Sequence, residues 1–274
     1  MSDWQDLIYR FDRPEVKALV LVGSYARGDA HPFSDVDLVR FTTATAPSLP
    51  GSGSHLVDGR LVVVSDASPD EVETWFAQPE LAVSRIPGLR QGRPLRDHDG
   101  YFATLQARAD AFVWDQAMQA RANAFANGAM VGWVEEVHKG LAGLRSGDVG
   151  RLLDAEFGLS WGLNRLVDVQ RGVPLVAPPG GEQWSGDWFQ RAEQVIGPQT
   201  EWARLRRRVF GVTGGGSDAP PALRERVIAG LWFYVATAEL LADVWTPPAT
   251  QLIDHAVRLV RDALGPGPAR SGPE

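Results

Sequence analysis

The chain has no cysteine in its 274 residues. Disulfide frameworks, thiolate metal centres and cysteine nucleophiles are therefore excluded. Lysine is nearly absent too: Lys17 and Lys139 are the only two among 27 basic residues, and the rest are arginine. No apolar run approaches the ~18 residues a membrane-spanning helix needs. The opening MSDWQDLIYRFDRPEV places Asp3, Asp6 and Arg10 where an export signal requires an uninterrupted apolar stretch. A cytoplasmic location with no membrane partner is the expectation. The five histidines, His31, His55, His98, His138 and His255, show no metal-ligand spacing.

What is present suits a globular enzyme or binding protein: 44% of residues are hydrophobic and 22% charged. A chain this long buries roughly three quarters of its unfolded surface on folding, so it needs no covalent staple. The net charge of -7 argues against nucleic acid as a partner, because phosphate neutralisation supplies most of that affinity. The densest basic patch, Arg204, Arg206, Arg207 and Arg208, alternates with Trp202, Leu205, Val209 and Phe210 at helical spacing and reads as a solvated helix face.

Glycine and proline cluster at 47–54, 174–186, 211–221 and 265–273. Ala18–Val22, Val36–Phe41 and Leu61–Val64 read as strands. Asp58-Gly59, just before the third, supplies the positive φ angles of a type I′ hairpin turn. Beyond about residue 100 the β signal gives way to helical stripes. Examples are Met130, Val134, Val137, Leu141 and Leu144, then Leu152 to Val169 and Val227 to Trp245. Segregated strands and helices give the α+β class. The expected division is 1–108, 109–264 and a disordered tail at 265–274.

One segment carries chemistry: VGSYARGDAHPFSDVDL, Val22 to Leu38. It leaves a strand through Gly23-Ser24, passes Arg27, Gly28 and Asp29, and re-enters a strand at Asp35. A glycine after a strand lets backbone approach a ligand closely, and the amides that follow can hold a phosphate. Asp35 and Asp37, two apart on a strand, point to one face. Two such charges about 5 Å apart repel by roughly 3 kcal/mol at an effective dielectric near 20. A divalent cation relieves that repulsion, and a pure carboxylate set with room for phosphates suits magnesium rather than zinc.

The run GSYARGDAHPFSDVDL resembles the signature of the nucleotidyltransferase superfamily shared by DNA polymerase beta and the antibiotic nucleotidyltransferases. It is most similar to the kanamycin and related aminoglycoside enzymes. The resemblance implies a small mixed-sheet nucleotidyltransferase domain followed by an all-helical one. It gives Gly23 and Ser24 to the nucleotide phosphates, Arg27 and Ser34 to triphosphate contacts, and Asp35 and Asp37 to Mg2+. The implied reaction moves a nucleoside monophosphate, AMP from ATP or its equivalent from another nucleoside triphosphate, to a hydroxyl of a small aminoglycoside-like acceptor. By analogy with relatives that build their site across two chains, a homodimer is expected.

The pattern also departs from that family. A third carboxylate is expected on a neighbouring strand, but Arg60 to Val64 offers only arginine, leucine and valine. Asp58 reads as a turn residue, and Asp66 as part of the lead-in to a helix capped by Ser68. VEEVHKG, Val134 to Gly140, resembles the family helix that carries the general base, yet the alignment puts Lys139 at that position. Glu136 is our choice of base, with Glu135 next, against the reading of both as a solvated acidic pair. Glu156 lies inside the stripe of Leu152, Leu159, Leu163 and Leu166, so pairing with an arginine, such as Arg151 or Arg165, is expected, with a raised pKa in a cleft as the alternative. The run Trp184 to Phe189 reads as a helix cap packed on the core, with closure over a sugar ring as the alternative. The missing third carboxylate keeps a second class open: a catalytically impaired nucleotide-binding or antitoxin-like regulatory protein of the same fold.

Overall fold

Strand β1, Val16–Val22 (VKALVLV), is apolar enough to be covered on both faces, and it lies inside a five-stranded sheet. This is seen in a computed structural model that describes residues 4–43, 49–176, 188–212 and 221–267. Within it the chain divides into two units, Met1–Met118 and Gln119–Glu274. The first holds helix α1 (Trp4–Phe11), β1, α2 (Gly23–Arg27), β2 (Val36–Thr42), β3 (Gly53–Val57) and β4 (Arg60–Ala67). Helices α3 (Pro69–Ala77) and α4 (Pro79–Gln91), strand β5 (Arg93–Asp97) and helix α5 (Tyr101–Asp110) complete it. The strand order is β3-β4-β2-β1-β5. β2 and β4 run parallel and every other neighbouring pair is antiparallel, so the sheet is mixed.

Alternation along the strands sorts side chains to two faces. Leu19, Leu21, Val36, Leu38, Val62 and Val64 pack with Leu7, Ile8 and Phe11 of α1. On the other face Phe41 meets Trp75 of α3 and Phe102 of α5, at ring-centroid distances of 6.0 and 5.7 Å. The β3–β4 hairpin turns through Asp58 (φ 49°) and Gly59 (φ 76°), the two positive φ angles that Asp-Gly predicts. Ser68 accepts a hydrogen bond from the Glu71 amide at 3.2 Å and caps α3, and Pro69 occupies the first turn.

The second unit is helical. Helix α6 (Gln116–Gly132) starts just before the division, and α7 (Val134–Ser146), α8 (Val149–Phe157) and α9 (Leu163–Gln170) follow. Then come α10 (Trp188–Ile196), α11 (Glu201–Val209), α12 (Leu223–Leu240) and α13 (Ala249–Leu264). Met130, Val137, Leu144, Leu152, Leu159, Leu163 and Leu166 share one buried core with Val227, Leu231 and Tyr234. The pattern from Leu152 to Val169 reads as one helix. The structure instead inserts a π turn at Gly158–Gly162 between α8 and α9. That turn lets Leu152 and Leu159, seven apart, and then Leu163 stay on the core side.

One expectation about charge is corrected and another is met. Arg206 does not belong to a solvated face, since it is fully buried. Its guanidinium lies 3.7 Å from the Phe189 ring centroid and within 6 Å of those of Trp188, Trp202 and Phe210. Helical spacing alone does not reveal which member of an arginine run has aromatic rings on every side. Glu156 is paired with an arginine as expected, the partner being Arg226 of α12 at 3.1 Å. Trp184 to Asp187 of the aromatic run, and residues 268–274 of the C-terminal segment, lie outside the described residues.

Candidate active site

The register of the β1–β2 pair builds the site. Val22 faces Asp37, so the end of β1, the turn at Gly23 and the start of β2 meet at one edge of the sheet. Gly23 has a φ of 68°, and a β-carbon on it would overlap Asp37 Oδ2. Glycine is required there twice over, for its left-handed backbone and for the carboxylate pressed against it. Asp35 sits just before β2, and its charge helps push the Asp37 carboxyl above the usual aspartate value. Burial is the larger cause of that rise, and the Arg27 cation opposes both. The Asp37 carboxyl, raised by burial and by the neighbouring Asp35 charge, marks a place where negative charge is only partly offset by Arg27.

The other residues singled out by sequence lie around this edge. Ser24 is in α2, the five-residue helix that follows Gly23, and its carbonyl accepts from the Gly28 and Asp29 amides at 2.9 and 3.1 Å. Arg27 donates to Asp29 at 3.1 Å and stays half exposed, so a ligand would have to compete with that surface pair. The pairing holds the Asp29 carboxyl below the usual aspartate value. Ser34 Oγ accepts from the His31 amide at 2.9 Å, and the Ser34 amide donates to the His31 carbonyl at the same distance. His31 thus acts as a turn residue, and Ser34 keeps its hydroxyl proton available to a ligand.

The neighbouring strand settles where a third carboxylate does not lie. β4 presents Val63 opposite Asp37. Asp66 pairs in register with Arg40, three residues beyond Asp37, and so faces the opposite side of the sheet. There the Asp66 carboxylate accepts from Arg40 Nε at 2.7 Å and Nη2 at 3.1 Å, from the Leu49 amide at 2.7 Å and from Ser52 Oγ at 3.0 Å. Arg40 is completely buried, so Asp66 is committed to its neutralisation. Reading Asp66 only as a lead-in to α3 misses this pairing, which a parallel β2–β4 register would have suggested. Among the described residues no group of three or more acidic or histidine side chains is placed to hold a metal ion. The donor set that exists is two carboxylates, which fits magnesium completed by water and substrate phosphates.

Glu136 lies on α7 in the helical unit. Lys139 Nζ contacts Glu136 Oε1 at 2.9 Å and Glu135 Oε1 at 3.2 Å. The two glutamates are not equivalent: the Glu135 side chain is 73% exposed and that of Glu136 only 13%. Glu136 packs over Gly158, where a β-carbon would stand 2.7 Å from its Cγ, and its Oε2 is buried without a hydrogen-bond partner. The solvated-pair reading therefore holds for Glu135 and fails for Glu136. Amphipathic spacing missed this because Gly158, the residue that makes room, belongs to another helix.

Residues 6–60 match the family model described as the nucleotidyltransferase domain. That span holds Gly23, Ser24, Arg27, Ser34, Asp35 and Asp37, and supports the superfamily resemblance over that part of the chain. Among solved structures, a nucleotidyltransferase-like protein from Exiguobacterium sibiricum 255-15 is similar at 12% identity and a TM-score of 0.47, over 93% of this chain and 78% of that one. No curated protein matches the chain. Among the described residues no helix is long and apolar enough to cross a membrane.

Proposed function

We propose that the protein is a magnesium-dependent nucleotidyltransferase that moves a nucleoside monophosphate, AMP from ATP in the first instance, to a hydroxyl of a small acceptor such as an aminoglycoside. The observation that carries this reading is the meeting of Asp35, Asp37 and the Gly23 turn at one sheet edge. A fold has no reason to press a carboxylate against an obligatory glycine, beside a second carboxylate, unless a cation and an anionic ligand use the place.

Asp35 and Asp37 would hold Mg2+, which when bound neutralises phosphate charge. The Gly23 backbone leaves room for a phosphate at the sheet edge, and the Ser24 and Ser34 hydroxyls donate to phosphate oxygens. Arg27, released from Asp29, adds a cation to the triphosphate. The acceptor oxygen forms a bond to the α-phosphorus as the bond to the bridging oxygen breaks in line, and pyrophosphate leaves. The acceptor proton goes to a carboxylate base, for which Glu136 is our assignment on the resemblance of Val134–Gly140.

One observation favours the second reading, a nucleotide-binding regulator without turnover: Val63 stands where a third carboxylate would face Asp37. Pyrophosphate release from each nucleoside triphosphate, with a panel of aminoglycosides, in magnesium and in chelator, separates the two. Magnesium-dependent release that needs an acceptor supports the enzyme, and Glu136→Gln should then lower kcat by about 100-fold or more with nucleotide KM unchanged. Nucleotide binding without release under every condition supports the regulator.

A further inference from the structure

A cleft of about 920 Å³ opens in the first unit between α3, α5 and the start of β1. That volume lies within the range of small-molecule sites. Lys17, in its wall, and Val22 are five residues apart on β1, so the cleft lies roughly 16 Å along the strand from the Gly23 turn, at the other end of the sheet. Val16, Val72 and Leu105 form a buried apolar floor, with polar side chains around it.

Two of those polar groups have no partner of their own. Lys17, one of only two lysines among 27 basic residues, is half-buried, and its ammonium stands 4.9 Å from the Tyr101 ring centroid. Among the described residues it makes no ion pair or hydrogen bond, and the Tyr101 hydroxyl makes no hydrogen bond either. Burial, with the Glu73 charge nearby, pushes the Tyr101 phenol above the ordinary tyrosine value, so it stays a donor.

The other charges of the cleft are matched. Glu73 takes both arms of Arg108, at 2.5 and 2.8 Å, and the Arg108 guanidinium lies 3.9 Å from the Phe76 ring centroid. Asp12 faces His98 at 3.4 Å and Arg96 at 4.0 Å. Asp99 is exposed at the rim on a left-handed turn (φ 56°), and the exposed Arg13 offsets its charge. The Lys17 ammonium is left as the uncompensated charge.

We infer that this cleft binds a sugar phosphate, a small phosphate monoester with several hydroxyls, its phosphate on Lys17 and its hydroxyls toward Tyr101 and the Glu73–Arg108 pair. A lysine ammonium is a point charge with three donors and meets phosphate oxygens from several directions, whereas a carboxylate is matched by the planar fork of an arginine. The fork in this wall, Arg108, is already taken by Glu73. Neutral as a pair, Glu73 and Arg108 still offer acceptor and donor positions to sugar hydroxyls. Nothing in this assignment rests on nucleotidyl transfer.

The test is isothermal titration calorimetry of the full chain with glucose 6-phosphate, inorganic phosphate, glucose and glucuronate, in phosphate-free buffer with chelator. Wild type, Lys17→Met, Tyr101→Phe and Asp35→Asn/Asp37→Asn are compared, with circular dichroism to confirm folding. Lys17→Met keeps the apolar stem over Tyr101 and removes only the charge. Glucose 6-phosphate should bind about tenfold or more tighter than any of the other three probes. Lys17→Met should weaken it by about tenfold or more, Tyr101→Phe by about fivefold, and the double aspartate variant should leave it unchanged. No binding of glucose 6-phosphate, equal binding of glucuronate, or an affinity that either cleft substitution leaves intact overturns the proposal. Loss of binding in the double aspartate variant also overturns it, because the phosphate would then sit at the Asp35–Asp37 edge.

Discussion

Gly23 and Asp37 are in contact to the degree that no side chain fits between them: a β-carbon on Gly23 would overlap Asp37 Oδ2, and the Gly23 backbone is left-handed. Gly23→Ala should therefore cost about 2 kcal/mol for the backbone alone and displace the carboxylate as well. Nucleotide turnover should fall by about 100-fold or more, since a 1 Å misplacement of a catalytic group has that effect. Gly28→Ala is the control. Gly28 has a φ of 84° but nothing within 4 Å of an added β-carbon, so stability should fall by a similar amount while turnover per folded molecule is kept. Urea unfolding and pyrophosphate release on both variants check this.

Asp37→Asn separates the metal site from the fold. Burial and Asp35 raise the folded-state value of the Asp37 carboxyl, so its contribution to stability is full below the ordinary aspartate range and is lost as pH rises through the raised value. At pH 7 the ionised group therefore weakens the fold. Asp37→Asn should melt at the wild-type temperature or above it at pH 7, and the advantage should shrink as pH falls toward 4, as seen by calorimetry across that range. Magnesium-dependent turnover should be abolished at every pH.

The strands β1, β2 and β4, the Asp-Gly hairpin, the Ser68 cap and the long helical stripes were legible in the sequence because each rests on local periodicity or turn chemistry. β5 was not, because RPLRD has a proline, three charges and no β-branched residue, and only its pairing with β1 makes it a strand. The same limit applies at the site. The spacing of Gly23, Asp35 and Asp37 showed the carboxylate pair. Register, which is long-range, was needed to show that Val63 faces Asp37 and that Asp66 turns away. Likewise the burial of Arg206 depends on Phe189, and that of Glu136 on Gly158, both distant in sequence.

Asp66→Ala tests the structural role of that carboxylate. Arg40 would be left buried with only the Leu49 and Pro50 carbonyls as partners, at 3.1 and 3.0 Å. Removing one partner of a buried ion pair costs about 4 kcal/mol. The midpoint of urea unfolding should fall accordingly, with turnover per folded molecule unchanged. Loss of turnover in a fully stable variant would instead make Asp66 part of the catalytic set.

Asp168 on α9 gives the helical unit a pH dependence of its own. Burial raises its carboxyl to about 7, against the opposing Arg206 and Arg165 cations and a 2.8 Å hydrogen bond from Asn164. Its stabilising contribution is full below about 4 and is lost as pH rises to about 7. Asp168→Asn should be more stable than wild type by a few kcal/mol at pH 8, with the difference gone near pH 4. Equal stabilities at pH 8 would mean that the folded state does not raise this carboxyl.

Asp35, Asp37 and the Gly23 turn are proposed to form a magnesium–nucleotide site. Its most direct measurement is thermal stabilisation of the full chain by each nucleoside triphosphate, with magnesium and with chelator, for wild type and the Asp35→Asn/Asp37→Asn double variant. The expected result is a stabilisation by at least one triphosphate that requires magnesium and disappears in the double variant. A shift that persists with chelator or in the double variant would contradict it, as would no shift with any triphosphate at millimolar concentration.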